Sequence, residues 1–156
     1  MTSPARTYYE DVELGETQRT PAMTVTAMHV ALYEGLTSDG PVVPGTVPEL
    51  LPMCLSTGLG WRMPRAPLVV LAFMGFDWKI LRPLTVGDTI YSRSRTTTKR
   101  TLREAGVIVD EHEIVDQRGE IVQHGKFTFL VARRPGEPAA RRPGRPVGDD
   151  RADRGR

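Results

Sequence analysis

The sequence contains one cysteine, Cys54, and no long hydrophobic segment. A single cysteine excludes an intramolecular disulfide framework, so a reducing, cytoplasmic location is expected. The longest apolar stretch runs from Leu68 to Phe76, which is too short to cross a bilayer. The first residues carry no apolar core after Arg6, so no secretory signal and no membrane association are expected.

Motifs for metals, nucleotides and serine hydrolysis are also missing. The three histidines, His29, His112 and His124, lie far apart and form no ligand spacing, so no metal is expected. The chain has no phosphate-binding P-loop, no GxGxxG motif and no GxSxG motif. The sequence therefore predicts a protein that uses no cofactor.

Charge divides the chain into a body and a tail. Residues 133–156 hold eight arginines against four acids, for a charge of +4, and four prolines and four glycines. The body, residues 1–132, then holds 13 basic and 15 acidic residues, for a charge of −2. Because the tail has almost no large apolar residue, it is expected to be disordered, while residues 1–132 form one domain. An acidic body gives nucleic acid no surface to dock on, so nucleic acid is not an expected partner.

Two helices are predicted in the first half of the body. Thr26 is suited to cap a helix that ends near Gly35 or Leu36, and its apolar residues Met28, Leu32 and Leu36 share one face. The stretch Thr46–Trp61 is apolar or small on every side, which predicts a helix that is buried all round. Thr46 and Glu49 have the spacing of a capping box. Because Pro52 disfavours helix before it, the regular helix starts either with an irregular turn or near Leu51.

The remainder of the body alternates in the manner of β-strands. A long apolar strand over Leu68–Ile80, bent at Gly75, precedes a Thr- and Arg-rich strand over Thr89–Thr101. Two further strands, Gly106–Asp116 and Ile121–Val131, are joined as antiparallel hairpins by turns that end in glycine. The predicted fold class is α+β, a curved antiparallel sheet wrapped around one buried helix.

Five segments in this order resemble the MaoC-like dehydratases and (R)-specific enoyl-thioester hydratases, which have the hotdog fold. They are YYEDVELGE, TVTAMHVALYEGLTSD, PVVPG with the helix ending in STGL, ILRPLTVGDTI, and DQRGEIVQHGKFTFLV. Together they cover the chain from Tyr8 to Val131. The resemblance implies a dimer, either of two identical chains or with a second hotdog subunit.

The resemblance breaks at the catalytic segment. The family's motif places an Asp, then Asn-Pro and a His, ahead of the approach to the central helix. Here Thr37-Ser38-Asp39 begins the motif and Gly40–Gly45 completes the approach, and no residue matches the His. Asp39 matches the family's catalytic Asp, although Ser-Asp-Gly-Pro is also a good turn. Adding water to an enoyl thioester needs two positioned proton carriers, so ordinary hydration is not expected.

The half of the site that binds the thioester is retained by resemblance. In the family the thioester carbonyl lies near the start of the central helix, where backbone N–H groups stabilise developing negative charge. Gly45, Thr46 and Val47 occupy that place and are expected to offer free N–H groups. The alternative is that Gly45 and Thr46 only begin and cap the helix.

Other side chains have two interpretations each. Glu49 either caps the central helix or activates water, as a carboxylate on that helix does in some hotdog thioesterases. Tyr33 and Trp61 either line an acyl pocket or fill the core. Cys54 is predicted to be a small core residue, and His29 a surface or dimer-contact residue.

Three functions fit this pattern. The first is an enzyme of acyl-thioester or polyketide-type metabolism, a lyase-like relative of the dehydratases with a retuned site, or a polyketide cyclase that holds its substrate in a reactive shape. The second is a non-catalytic subunit that pairs with a His-bearing hotdog hydratase. The third is a thioesterase that uses Glu49. The expected ligand is an acyl group on coenzyme A or on an acyl carrier protein, or a polyketide-like small molecule.

Overall fold

A computed structural model describes residues 5–38 and 43–136 of the chain. A short 3-10 helix, Tyr9–Asp11, comes first. The helices and strands then follow in chain order: β1 Thr17–Arg19, β2 Met23–Thr24, α1 Ala27–Thr37, α2 Leu51–Gly60, β3 Val70–Ile80, β4 Thr89–Thr101, β5 Ala105–Asp116 and β6 Ile121–Ala132.

The strands form one antiparallel sheet in the order β1-β4-β5-β6-β3, with β2 also paired to β4. The hairpins β4–β5 and β5–β6 confirm the predicted alternation of apolar and polar residues in this half of the chain. A register shift between Phe73 and Gly75 bends β3 where the sequence predicts a bend. The short β1 and the long β3 lie at the two edges of the sheet.

Helix α1 begins as predicted, after Thr26. The Thr26 hydroxyl accepts a hydrogen bond from the His29 N–H at 3.4 Å, and His29 Nδ1 accepts one from the Thr26 N–H at 3.1 Å. His29 is therefore the third residue of a reciprocal cap, in the position that glutamate usually takes. Val30 is buried and Tyr33 packs beside it, while the apolar face with Met28, Leu32 and Leu36 is exposed.

Helix α2 is shorter than the apolar stretch that predicts it. It begins at Leu51, the later of the two predicted starts, and Pro52 lies in its first turn, where the missing N–H costs nothing. The predicted capping box of Thr46 and Glu49 is wrong. The Thr46 hydroxyl donates instead to the Val43 carbonyl at 2.7 Å, and no side chain caps the helix at Leu50.

The prediction that this helix is buried on all sides is also wrong for the single chain. Its buried residues are Leu51, Pro52, Ser56 and Leu59, which share the face toward the sheet. Cys54 is exposed rather than a core residue, because it lies on the opposite face. Since the sheet covers only one face of α2, the other apolar face is available to a second chain.

The hydrophobic core lies between the helices and one face of the sheet, the concave face. The main cluster joins both helices and the segment before α2 to the centre of the sheet: Val25, Val30, Val47, Leu51, Leu84, Ile90, Ile114 and Val122. A smaller cluster of Tyr9, Ile108 and Val131 attaches the N-terminal segment at the other end. A hydrogen bond of 2.6 Å between the hydroxyls of Ser56 and Ser92 fixes α2 over β4.

The body continues a short way into the segment that the sequence assigns to the tail. Arg133 has a side chain that is only 10% exposed, and its Nε lies 2.9 Å from Glu10 Oε1. The Arg134 N–H donates to the other oxygen of Glu10 at 2.9 Å, and its guanidinium pairs with Asp11. These contacts attach the end of β6 to the N-terminal helix.

We expect a chain that ends at Gly136 to melt within about 2 °C of the full chain, because the composition of residues 137–156 offers nothing to pack. A chain that ends at Ala132 also loses both arginines, and we expect its melting temperature to fall by a further 3–6 °C or so. Differential scanning calorimetry of the three chains measures both effects. Equal melting of the two shortened chains would contradict the role of Arg133 and Arg134.

Candidate functional site

The segment that leads into α2 is held by backbone pairing with a distant loop. The Val47 N–H donates to the Leu84 carbonyl and the Val86 N–H to the Gly45 carbonyl, both at 3.0 Å. Gly45 has a φ of 80°, which glycine adopts without strain. The chain therefore reaches the start of α2 in a fixed conformation.

This pairing corrects the predicted set of free N–H groups. The Thr46 N–H donates to the Val43 carbonyl at 3.1 Å, and the Val47 N–H is engaged by Leu84. Two of the three expected donors are thus already satisfied, because buried backbone groups seek partners within the fold. Within residues 5–38 and 43–136, the Gly45 N–H has no hydrogen-bond partner, and it remains the donor available to a ligand.

The two predicted catalytic carboxylates have different outcomes. Asp39, with Gly40, lies outside the described residues, so its role stays a prediction. Glu49 is exposed and takes no part in an ion pair or side-chain hydrogen bond in the described part of the chain. Its carboxylate, which is not engaged as a cap, is free to meet solvent or a ligand beside the start of α2.

A buried glutamine positions the turn before α2. Gln123 on β6 is 2% exposed; its Nε2 donates to the Glu49 carbonyl at 2.7 Å, and its Oε1 accepts from Trp78 Nε1 at 2.9 Å. A buried amide with both ends engaged fixes its neighbours firmly. Gln123 thus ties the start of the helix to β6 and β3.

The two predicted pocket residues lie in different environments. Tyr33 is half-buried and packs against the main core cluster, which agrees with its interpretation as a core residue. Trp61 follows α2 directly and is 75% exposed. In the single chain it therefore neither fills the core nor lines a closed pocket.

Polar and titratable residues lie in the middle of the concave face, an arrangement that was not predicted from the sequence. Strand register places Ser94, His112, Gly125 and Trp78 side by side in one cross-strand row. The next row contains Thr96, Asp110, Phe127 and Phe76. We refer to Ser94, Thr96, Asp110 and His112 as the polar floor. In each row the β4 residue carries a hydroxyl, the β5 residue is titratable and the β3 residue is aromatic.

The polar floor contains a histidine that has no partner among the described residues. Both ring nitrogens of His112 are buried and make no hydrogen bond there, and its ring lies 4.6 Å from that of Phe127. Burial lowers the pKa of His112 to about 4, and the charge of Arg65 acts in the same direction. The imidazole is therefore neutral at pH 7, with one donor and one acceptor nitrogen.

Asp110 is the second titratable group of the floor. Its Oδ1 accepts a hydrogen bond of 2.6 Å from the Thr96 hydroxyl. Burial raises the pKa of this carboxyl, although the Thr96 hydrogen bond and the Arg65 charge oppose the change. A cavity of about 60 Å³ lies beside Asp110, with Ser94, Thr96 and Arg65 among its walls. Such a volume holds a few water molecules or one small polar group.

Comparison with solved structures identifies the architecture. A monoamine oxidase regulatory protein from Archaeoglobus fulgidus is similar with a TM-score of 0.76 and 24% identity, over 83% of this chain and 97% of that one. A MaoC-like dehydratase from Rhodospirillum rubrum gives 0.67 and 16%, over 83% and 99%. A Mycobacterium tuberculosis protein with a double hotdog fold gives 0.68 and 16%, over 89% and 47%. The chain has the hotdog fold.

The fold expected from the sequence is thereby confirmed, and the chain corresponds to one half of the double hotdog protein. No protein-family model and no curated protein sequence matches it. Within the described residues, no helix of this hotdog domain is long and apolar enough to span a membrane. In the same residues, no three His, Cys, Asp or Glu side chains are grouped as metal ligands would be.

A signal for the polar floor is present in the sequence. Ile108 and Ile114 share one parity of β5, and Asp110 and His112 fall between them on that parity. Because successive residues of a strand alternate between faces, the alternation alone places these two titratable residues on the core side. His112 was considered only as a metal ligand, and its burial was therefore missed.

Proposed function

We propose that this hotdog chain is a MaoC-like protein that binds acyl thioesters and has a retuned site related to the dehydratases. The observation that carries the proposal is the segment before α2. Gly45 presents an N–H group in a conformation fixed by the strand-like pairing with Leu84 and Val86. An N–H at this place suits the carbonyl oxygen of a thioester, whose negative charge grows when its α-carbon loses a proton.

The family's two-group hydration chemistry is not expected to operate in its usual form. The three histidines of the chain lie in α1, β5 and β6 rather than in the loop after α1. His29 is engaged in the cap of its helix, and the ring nitrogens of His112 are buried in the polar floor. Asp39 then remains the proposed proton carrier of the loop, acting on a substrate whose shape is set by the surrounding walls.

The site is proposed to be completed by a second hotdog chain. Apolar side chains on β3, on the outer face of α1 and at the end of α2 are exposed in the single chain: Met28, Leu32, Leu36, Trp61, Leu71 and Met74. Patches of this extent usually mark interaction surfaces. The partner is either an identical chain or a His-bearing hotdog hydratase, to which this chain would contribute a wall of the binding site.

The first test measures binding and hydration separately. We expect the purified protein to bind crotonyl-coenzyme A in isothermal titration calorimetry but to hydrate it at least about 10²-fold more slowly than a His-bearing relative assayed in parallel, because one general base is missing. Asp39→Asn should leave binding within a factor of about three and reduce turnover of the native substrate. Rapid hydration by the isolated chain would overturn the retuned site, and an absence of acyl-thioester binding would overturn the whole proposal.

A thioesterase is the second candidate, and the exposure of Glu49 favours it. The carboxylate is not engaged in a cap, and it lies at the start of α2, the element nearest the proposed carbonyl position. A carboxylate there is able to attack the carbonyl or to activate water. The test measures the release of free thiol from acyl-coenzyme A. Release that is abolished by Glu49→Gln and unchanged in Glu34→Gln would show that the protein is a thioesterase.

A further inference from the structure

The polar floor carries an inference about the acyl group, which rests on the proposed binding of acyl thioesters. A buried polar group that lacks a hydrogen bond costs roughly 1–3 kcal/mol. His112 leaves two such atoms, its ring nitrogens, without a protein partner in the described chain. Native proteins rarely keep such a group unless water, an ion or a ligand completes it.

The neighbours of His112 indicate the shape of the ligand. Toward the β3 edge, the concave face is lined by aromatic rings that contact one another: Phe73, Phe76, Trp78, Phe127 and Phe129. Trp78 and Phe127 are stacked, with ring centroids 5.2 Å apart. Phe73 and Phe76 are each more than half exposed in the single chain. Flat apolar walls of this kind favour a conjugated or aromatic acyl body.

The adjoining polar floor, on β4 and β5, indicates the polar part of the ligand. A neutral imidazole offers one donor and one acceptor, Asp110 has an oxygen beyond the one bound by Thr96, and the Arg65 guanidinium stands at the adjoining cavity. This set matches a hydroxyl or keto oxygen, which needs a donor, and in the case of a hydroxyl also an acceptor. A free carboxylate fits poorly, because it would meet the half-buried Asp110.

We propose that the polar floor binds an oxygen substituent at the far end of a conjugated or aromatic acyl group, with His112 and Asp110 as its hydrogen-bond partners. Glycine at position 125 is part of the arrangement. It lies beside His112 in the strand register, and a methyl group there would come within 2.4 Å of the Trp78 ring and 2.1 Å of the Asp77 carbonyl. The absence of a side chain at Gly125 thus lets Trp78 lie flat against the sheet next to His112.

The test compares two thioesters that differ in one hydroxyl group, cinnamoyl-coenzyme A and 4-hydroxycinnamoyl-coenzyme A. In calorimetric titration of the full chain, we expect the hydroxylated compound to bind about tenfold more tightly. Its hydroxyl group would supply the hydrogen bonds that His112 and Asp110 otherwise lack, and a gain of about tenfold is what such bonds contribute. His112→Phe keeps the apolar volume and should remove the preference, so that the two compounds bind with equal affinity. His124→Phe, on the same sheet but outside the polar floor, is the matched control and should keep the preference.

A second measurement does not depend on the folding of a variant. The chain has three histidines, so the ring resonances of His112 can be assigned in nuclear magnetic resonance spectra of the wild-type protein. They should shift with the hydroxylated thioester and much less with the plain one. Equal affinities and equal shifts would overturn the assignment and mean that water alone completes His112, with thioester binding intact. Failure of both compounds to bind would overturn the proposed function and this inference together.

Discussion

Replacement of Leu71 and Met74 by glutamate is expected to convert a dimer into a monomer in solution. Both side chains lie on β3, the long edge strand of the sheet, and each is 56% exposed in the single chain. An extended apolar edge is costly to leave bare, and a second strand that pairs with it covers both the side chains and the backbone groups. The opposite edge, β1, is three residues long and polar, so it exposes no apolar side chains that a partner would have to cover.

The effect should be large because a two-fold interface contains each substitution twice. Burying one apolar side chain contributes about 1.5–3 kcal/mol, and four buried charges without partners would add a larger cost. The dimer dissociation constant should therefore rise by roughly 10³-fold or more, which sedimentation velocity over a range of micromolar concentrations would reveal.

Leu14→Glu is the matched control, since Leu14 is 58% exposed and lies away from β3. Its sedimentation should equal that of the wild type. A wild-type chain that is monomeric at these concentrations would contradict the proposed homodimer and leave pairing with a different hotdog subunit to be tested by co-expression. A dimer that survives both glutamates would place the interface on the exposed face of α1 or α2 instead.

The fold could be predicted from the sequence, whereas the burial of α2 could not. Alternation in β5 and β6, the glycine turns between strands and the cap at Thr26 are local patterns, and local backbone preferences determine them. An apolar surface on every side of a helix predicts that the helix is buried. It does not indicate whether the same chain or a second chain buries it. The sequence therefore does not show that Cys54 and Trp61 are exposed in the single chain, where the sheet covers only one face of α2.

The candidate site shows the same division between local and distant contacts. Gly45 was proposed from the resemblance of its segment to the family's approach to the central helix, and its role in binding stays a prediction. The Val47 N–H, however, donates to the carbonyl of Leu84, thirty-seven residues further along the chain. The residue pattern within Thr46–Trp61 cannot predict a contact with so distant a residue. Gln123, which holds the Glu49 carbonyl, is likewise distant in sequence.

The second large effect concerns Asp116, at the end of β5. Its carboxylate is fully buried and accepts hydrogen bonds from the N–H groups of Arg118 and Glu120 at 2.9 and 3.0 Å. It also pairs with the guanidinium groups of Arg82, at 3.3 Å, and Arg118, at 2.8 Å. The sequence predicts the turn that follows, and the structure shows that one carboxylate organises this turn and anchors the strand connection at Arg82.

Asp116→Asn should lower the free energy of unfolding at pH 7 by about 2–3 kcal/mol, because the amide keeps the shape but puts an N–H₂ group against donors and leaves Arg82 and Arg118 with only the exposed Glu120 as counter-charge. Glu111→Gln, which removes a carboxylate that is 36% exposed and pairs with Arg95 and Lys126, is the control and should cost less than about 1 kcal/mol. Urea unfolding followed by circular dichroism measures both.

The pH dependence of this difference follows from the state of the carboxyl group. Burial alone would raise the pKa of Asp116, but the hydrogen bonds from Glu120 and Arg118 and the Arg118 charge outweigh it, and the pKa is lowered in the folded protein. A lowered pKa gives stability that is complete above the unfolded value, near 3.9, and that is lost as the pH falls through the folded value. The free energy of unfolding of the wild type should therefore exceed that of Asp116→Asn by the full amount of about 2–3 kcal/mol at pH 7 and pH 5. The two free energies should converge below about pH 4. A difference that stays constant to pH 3 would show that Asp116 acts through its shape and hydrogen bonds alone, without its charge.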